Sequence, residues 1–337
     1  MTFQLLMQQG WTLPVMNKKF RNTILALVSI FAVSANAEPM AYSVNSDSDG
    51  GDSLYRIDLA TGADQFRGKL NTGIEDRTDT EGLAFSPGPD SVLWGMDDAS
   101  GTLFPISTSN GSINWQDEIQ LPLEFQTGGG NDFGMTFACD NSLYFTSVKT
   151  RNLYRLDDEG SFTTVGANAS LGVNISAIAS IGNPVKLYGL GNGRFEDGST
   201  DSPNLYSIDP DNGTASLIGP LSDSNEFAYN EAGLAFDADG TLWAITDRSQ
   251  INNQKSQILS INLITGAATL VSTTVNEVGY ESLAITQPSD CVAAPRAVTG
   301  NAATAIPTLN IAGRLSAILV LICLLYTSDA ADDFAVV

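Results

Sequence analysis

The sequence predicts an all-β fold, a β-propeller of five four-stranded blades, and three observations carry that expectation. A strand bearing an aromatic recurs five times, at Tyr42, Trp94, Tyr144, Tyr188 and Trp243. Each is followed by a strand carrying an apolar pair: Leu54-Tyr55, Leu103-Phe104, Leu153-Tyr154, Leu205-Tyr206 and Ile258-Leu259. The second residues of these pairs stand 49, 50, 52 and 53 residues apart, a register too regular for unrelated hairpins. A small sheet of short alternating strands cannot bury its apolar face alone, so units of this period stack on their neighbours as blades. A six-bladed or irregular propeller, a sandwich and another solenoid are the alternatives at this stage.

The remaining strands follow from position. After each apolar pair comes a turn that tolerates left-handed geometry: Thr61-Gly62, Asn110-Gly111, Glu159-Gly160, Asn212-Gly213 and Thr265-Gly266. These read as hairpins into outer strands such as 162–165, 215–218 and 268–271. Small and apolar stretches suited to a crowded inner wall precede four of the aromatic strands, at 82–85, 134–137, 176–179 and 233–236. The first repeat lacks an inner strand, and one is left over at the other end, Glu281-Ser282-Leu283-Ala284-Ile285. The expected consequence is circular closure, with Leu283 pairing back to the blade of Tyr42 and removing an exposed inner edge. Long stretches at 115–132, 192–203 and 222–230 interrupt the regular spacing, and insertions in repeat folds commonly carry binding apparatus.

Both ends have the character of export signals. Lys18, Lys19 and Arg21 form a basic region, 24–33 is apolar, and Ala35-Asn36-Ala37 offers small residues for cleavage before Glu38. The apolar run is too short for a hydrocarbon core of about 30 Å, so 1–37 is expected to be an extension ending in a signal peptide, with translation starting at Met16. The propeller is assigned to 38–292 and an Ala- and Thr-rich linker to 293–305. A sorting motif with a transmembrane segment is assigned to 306–326, and 327–337 reads as a tail foreign to the native C-terminus. Arg314 interrupts the apolar stretch, and the tail is acidic where a basic cytoplasmic flank is the rule.

Charge and composition exclude several classes. The chain carries 16 Lys and Arg against 38 Asp and Glu, and without 1–37 its formal charge becomes −25. Nucleic acid and anionic lipid surfaces are therefore poor partners, and the membrane is expected to be met only through the C-terminal segment. With 43% apolar residues, 15 Phe and 9 Tyr, the acidity is that of a folded protein. There is no histidine, which excludes Ser-His-Asp and Cys-His hydrolases and histidine-ligated zinc or iron. No phosphate loop, metal-spaced Cys pair or dinucleotide fingerprint is present. Cys139 and Cys291 each follow an inner strand two blades apart, so their pairing requires the tail to cross one face; a disulfide would suit an exported protein.

What remains is carboxylate chemistry. Glu81, Asp132, Asn174, Glu231 and Glu281 lie near the starts of the inner strands, where a propeller axis brings them toward one channel mouth. Such a set is a candidate Ca²⁺ site, structural or able to polarise a carbonyl. Their registers disagree, however. Glu81 and Glu281 align with each other, while Asp132, Asn174 and Glu231 align one residue earlier. Alternate strand residues face opposite sides, so all five point inward only if a bulge intervenes. The loop 45–52 opens like an EF-hand but has Arg56 at the twelfth position, and it reads as an acidic turn. Asp209-Pro210-Asp211-Asn212-Gly213, Asp97-Asp98 and Asp157-Asp158 read as solvated turns.

The strings Leu54-Tyr55-Arg56-Ile57-Asp58-Leu59-Ala60-Thr61-Gly62 and Leu205-Tyr206-Ser207-Ile208-Asp209-Pro210-Asp211-Asn212-Gly213 resemble blades of secreted bacterial β-propeller repeat proteins. The resemblance covers about 41–286; it implies architecture and transfers no catalytic residue. Ile306-Pro307-Thr308-Leu309, after the linker and before an apolar run, resembles the IPTL-type C-terminal sorting signal. That resemblance implies processing by an exosortase-type membrane enzyme and a place in the periplasm, cell surface or extracellular matrix of a Gram-negative bacterium. The sequence thus favours a non-enzymatic binding module for a protein or polysaccharide partner. A calcium-dependent hydrolase or lyase with a carboxylate-lined pocket, and a structural surface or matrix protein, are the alternatives.

Overall fold

A computed structural model describes residues 39–45, 51–88, 90–122, 132–157, 160–191, 193, 203–251, 253–276 and 279–286, all within a compact unit spanning 1–293. The expected signal peptide, linker, sorting segment and tail lie outside the described residues. Among the described residues no helix is long and apolar enough to cross a membrane.

The first blade contains β1 (Met40–Asn45), β2 (Ser53–Asp58) and β3 (Asp64–Lys69), and the second β4 (Thr80–Phe85), β5 (Leu93–Asp97), β6 (Thr102–Ile106) and β7 (Ile119–Gln120). The third contains β8 (Phe133–Phe137), β9 (Leu143–Ser147), β10 (Asn152–Leu156) and β11 (Phe162–Val165). The fourth contains β12 (Ile175–Ile181), β13 (Lys186–Gly191), β14 (Asn204–Ile208) and β15 (Ala215–Pro220). The fifth contains β16 (Ala232–Phe236), β17 (Leu242–Thr246), β18 (Gln257–Ile261) and β19 (Ala268–Thr273). Each sheet is an antiparallel meander in chain order. The five-bladed propeller is therefore the fold, and the outer strands β15 and β19 run two residues past their expected ends.

The repeated residues are what hold it together. Leu54, Leu103, Leu153, Leu205 and Ile258 are each at most 1% exposed, and burying such a side chain contributes about 1.5–3 kcal/mol. The strand aromatics instead pack across the seams. Tyr42 meets Phe85 edge-on at 5.8 Å, Trp94 meets Phe137 at 6.4 Å and Tyr188 meets Phe236 at 5.7 Å. In each pair the aromatic strand of one blade meets the channel-side strand of the next, so one stripe fixes the ring spacing. The hairpin glycines Gly62, Gly111, Gly160, Gly213 and Gly266 all have φ between 71° and 84°, the geometry that their turns require.

Closure occurs where the unequal ends predict it. Tyr42 N donates to Ala284 O and Ala284 N to Tyr42 O, both at 2.8 Å. A second bridge pairs Asn45 with Tyr280. Ala284 stands opposite Tyr42. Leu283 turns into the cluster of Ala41, Trp243 and Ile285, because alternate residues of a strand face opposite ways. Cys139 is disulfide-bonded; Cys291 and Cys323 lie outside the described residues.

Because every pairing is antiparallel and sequential, all inner strands begin at one face of the disc. The connections 46–52, 70–79, 121–132, 192–203, 221–231 and 247–256 attach there, while short turns such as 138–142, 182–185 and 262–267 attach at the opposite face. The described ends of the irregular stretches after β7, β13 and β15 thus attach at one end of the channel.

Candidate cation site at the channel mouth

A β-bulge decides which carboxylates meet. In the ladder between β4 and β5, Thr80 pairs with Asp97 and Gly82 with Met96, leaving Glu81 as the extra residue. A bulge re-aims the side chain that it carries. Here it cancels the one-residue offset between Glu81 and the pair Asp132 and Glu231, which stand immediately before β8 and β16. Carboxylate oxygens of Glu81, Asp132 and Glu231 consequently lie within 4.8 Å of one another. Glu281, 6% exposed, borders the same stretch of channel as Glu81. Asn174 Oδ1 accepts a 2.8 Å hydrogen bond from Arg151 Nε, on the turn between β9 and β10.

Below the carboxylates the channel is nearly filled. The stretch lined by Glu81, Leu83, Phe133, Met135, Leu234 and Glu281 leaves about 10 Å³ for the centres of water-sized spheres. The next stretch, with Thr136 and Ser180 among its lining, leaves about 20 Å³. A water needs roughly 10–15 Å³ on this measure, so each stretch admits about one. Leu83, Met135, Leu234 and Leu283 act as a plug below the carboxylates.

The surroundings oppose full ionisation. Burial is the largest influence on Glu231 and pushes it up to about 8; the charge of Asp132 adds to this, a hydrogen bond from Glu81 opposes it, and Asp247 and Asp79 raise it further. Glu81 is held well above the usual range, first by burial and then by the charges of Glu231, Glu281 and Asp132. Its hydrogen bond to Glu231 also favours keeping its proton. The side chains are half-buried rather than sealed, which fits groups set down a narrow mouth with protein around them. Glu231 Oε2 is buried and accepts no hydrogen bond.

Two chemical states satisfy such a cluster. Like charges this close cannot all ionise in a poorly hydrated site, so protons are shared; alternatively, a cation replaces the protons. Calcium–oxygen distances are about 2.3–2.6 Å, so atoms within 4.8 Å of one another can touch one Ca²⁺. Three carboxylates with Glu281 nearby match its hard oxygen donor set, and waters or a ligand would complete the roughly six to eight positions that it takes.

Further acids, expected in solvent or given no role by their sequence context, are buried or half-buried beside this mouth. Asp97 and Asp98, with the sequence signature of exposed turn residues, are 1% and 2% exposed, packed on the segment before β4, where Asp98 N donates to Asp79 O at 2.9 Å. Asp97 Oδ2 accepts the amides of Thr78 at 3.3 Å and Asp79 at 3.1 Å. Asp52, the last residue of the loop 45–52, is fully buried and is pushed up to about 7, chiefly by burial. Asp79 is raised by burial and by Asp97, while its hydrogen bond with Glu81 lowers it. Asp247, with no exposure, accepts hydrogen bonds from Ser249 N at 2.8 Å and Ser249 Oγ at 3.1 Å. The turn reading holds for Asp209, whose Oδ1 takes the amide of Asp211 at 2.8 Å.

No known protein-family profile matches the chain, and no curated protein matches it. Solved structures do. A virginiamycin B lyase from Staphylococcus aureus, solved with quinupristin, shares 17% identity over 75% of this chain and 79% of that one, with a TM-score of 0.40. The chain seen in a nidogen/laminin complex shares 14% over 74% and 98%, with a TM-score of 0.44. A luciferin-regenerating enzyme shares 12% over 73% and 75%, with a TM-score of 0.42. At these identities the chain is similar to them in fold.

Proposed function

We propose that this chain is an exported binding module whose channel mouth holds Ca²⁺ and presents it to a protein or polysaccharide partner gripped by the surrounding loops. The observation that carries the reading is the convergence of Glu81, Asp132 and Glu231 within 4.8 Å, at the face where the long connections attach. A bound ion neutralises part of the buried charge and leaves coordination positions facing outward, where a carboxylate, carbonyl or hydroxyl oxygen of the partner can complete the shell. Export is supported by the basic and apolar stretches before Glu38. The IPTL-like motif supports exosortase-type processing and retention at a Gram-negative surface or in its matrix.

Calorimetric titration of the chelator-treated full chain with Ca²⁺ tests this. Binding is expected in the wild type. Glu231→Gln keeps the shape and removes a ligand charge, and it is expected to weaken the channel site at least about tenfold, since changes merely adjacent to a metal already cost about 10- to 100-fold. A wild type that takes up no calcium and melts at the same temperature with and without it would sink the proposal. A calcium-dependent hydrolase or lyase is the second reading, favoured by one observation: the same carboxylates converge where an ion that they held could polarise a carbonyl offered at the mouth. The plugged channel confines any such reaction to groups offered at the mouth.

A further inference from the structure

The fourth blade carries the same irregularity as the second. In the ladder between β12 and β13, Ile175 pairs with Gly191 and Ala177 with Leu190, leaving Ser176 as the extra residue. Ser176 therefore holds the place that Glu81 holds between Thr80 and Gly82. The flanking residues fix its direction. Ile175 packs into the seam with the third blade, among Ala138, Tyr144 and Leu153. Ala177 packs into the seam with the fifth, among Leu234, Phe236 and Leu259. The flanks of Glu81 divide in the same way: Thr80 hydrogen-bonds Asp52 beside the first blade, and a Cβ on Gly82 would approach Met135 Cβ of the third at 2.9 Å. With one neighbour turned to each seam, the bulged side chain between them is aimed at the axis.

That direction brings Ser176 to the carboxylates. A Cβ on Gly134 would lie 2.8 Å from Ala177 Cα, so the starts of β8 and β12 touch, with Asp132 two residues before Gly134 and Ser176 one before Ala177. Ala177 lines the same stretch of channel as Glu81 and Glu281. Asp132 and Glu231, which share the cluster with Glu81, belong to the third and fifth blades, and Ser176 stands on the blade between them. It is 4% exposed, and its Oγ is buried with no hydrogen-bond partner among the described residues. Glu231 Oε2, on the adjoining blade, is in the same condition. A buried hydroxyl that engages nothing is costly and calls for a partner. Calcium takes neutral oxygen donors as well as carboxylates.

We infer that Ser176 Oγ is a ligand of the channel ion, so that each of the five blades supplies one oxygen-bearing side chain: Glu281, Glu81, Asp132, Ser176 and Glu231 in ring order. The inference rests on the calcium reading of the mouth. Four carboxylates already exceed the charge of a divalent ion, and a neutral donor in the fourth blade adds a bond to the ion without adding repulsion among the ligands.

Calcium titration of the full chain, with melting in chelator alongside, separates this inference from the reading on which it rests. Binding by wild type that Glu231→Gln weakens establishes the ion at the mouth. Ser176→Ala is then expected to weaken the same site about tenfold, the scale on which groups around a metal act. In chelator it is expected to melt at or above the wild-type temperature, because it removes an unsatisfied buried polar atom. A serine with a merely structural role would show the reverse, a lower melting temperature in chelator and unchanged affinity. Wild-type affinity in Ser176→Ala overturns the inference and leaves the calcium reading standing, whereas a wild type that takes up no calcium overturns both. Anomalous diffraction from Mn²⁺-soaked wild-type crystals tests the position without a variant. A peak among the carboxylates at bonding distance from Ser176 Oγ supports the inference, and a peak bonded to Glu81, Asp132 and Glu231 but not to Ser176 overturns it.

Discussion

Calcium-free protein is expected to lose stability as the pH rises from about 5 to about 8, and added calcium is expected to remove most of that loss. The sign follows from the buried acids. Glu231 is raised from 4.5 to about 8, Asp52 from 3.8 to about 7, and Glu81 lies well above 4.5. Below the unfolded values both states are protonated and the groups are neutral in the balance. Above those values the unfolded chain gives up its protons while the folded chain keeps them, so the folded state binds more protons and rising pH favours unfolding. Each retained proton contributes a slope of about 1.4 kcal/mol per pH unit, ending for Asp52 near 7 and for Glu231 near 8. An ion in the cluster substitutes for the protons and flattens the slope. Melting curves in chelator and in excess calcium check this, with about 2–4 °C expected per kcal/mol for a domain of this size. Glu231→Gln in chelator controls for general repulsion in a chain of net charge −22: it should melt with a shallower pH dependence than wild type. A melting temperature that climbs between about pH 5 and 8 without calcium would contradict the electrostatic account.

How the site came together marks the boundary of what the sequence discloses. The ring was legible because its residues repeat: a strand buries alternate positions, and five blades made alike put Leu54, Leu103, Leu153, Leu205 and Ile258 at one depth. Closure was legible from a missing strand at one end and a surplus one at the other, and the last segment does pair back to the blade of Tyr42, through Ala284. The carboxylates were legible as candidates but not as a set. Period-two alternation placed Glu81 out of phase with Asp132 and Glu231, and only the bulge between Thr80 and Gly82 reconciles them. Asn174 shares the right register and is drawn off by Arg151, a contact between two irregular segments. Asp52, Asp97 and Asp247 carried no sign of burial in their local sequence, because acid-rich connections are usually solvated. The one available sign was position, since each of the three adjoins a strand end at the carboxylate face.

Gly233→Val is expected to cost more stability than any substitution within the cation cluster, because it acts on ring closure. A Cβ at Gly233 would lie 2.2 Å from Leu283 N and from Ser282 C, and 2.7 Å from Leu283 Cβ. Two of these atoms are backbone, in the segment that completes the first blade, so the clash cannot be relieved by turning a side chain. Overpacking of this kind costs about 1–3 kcal/mol; Gly233→Ala should fall in that range and the branched valine above it. The displacement has a direction. Pushing Leu283 away from β16 strains the paired hydrogen bonds between Tyr42 and Ala284 and separates Glu281 from Glu231, which stand two residues before Leu283 and Gly233 on the facing segments. Gly233→Val should therefore lower the melting temperature by several degrees and weaken calcium binding together, whereas Glu231→Gln should weaken binding without the loss of closure. Gly191→Ala is the comparison, since its nearest contact would be Tyr206 Cε2 at 3.2 Å, a ring edge with room to give. Melting of Gly233→Val within about a degree of wild type, far less than overpacking costs, would mean that the last strand is not wedged against the fifth blade, and the ring would then have to be held shut by its seams alone.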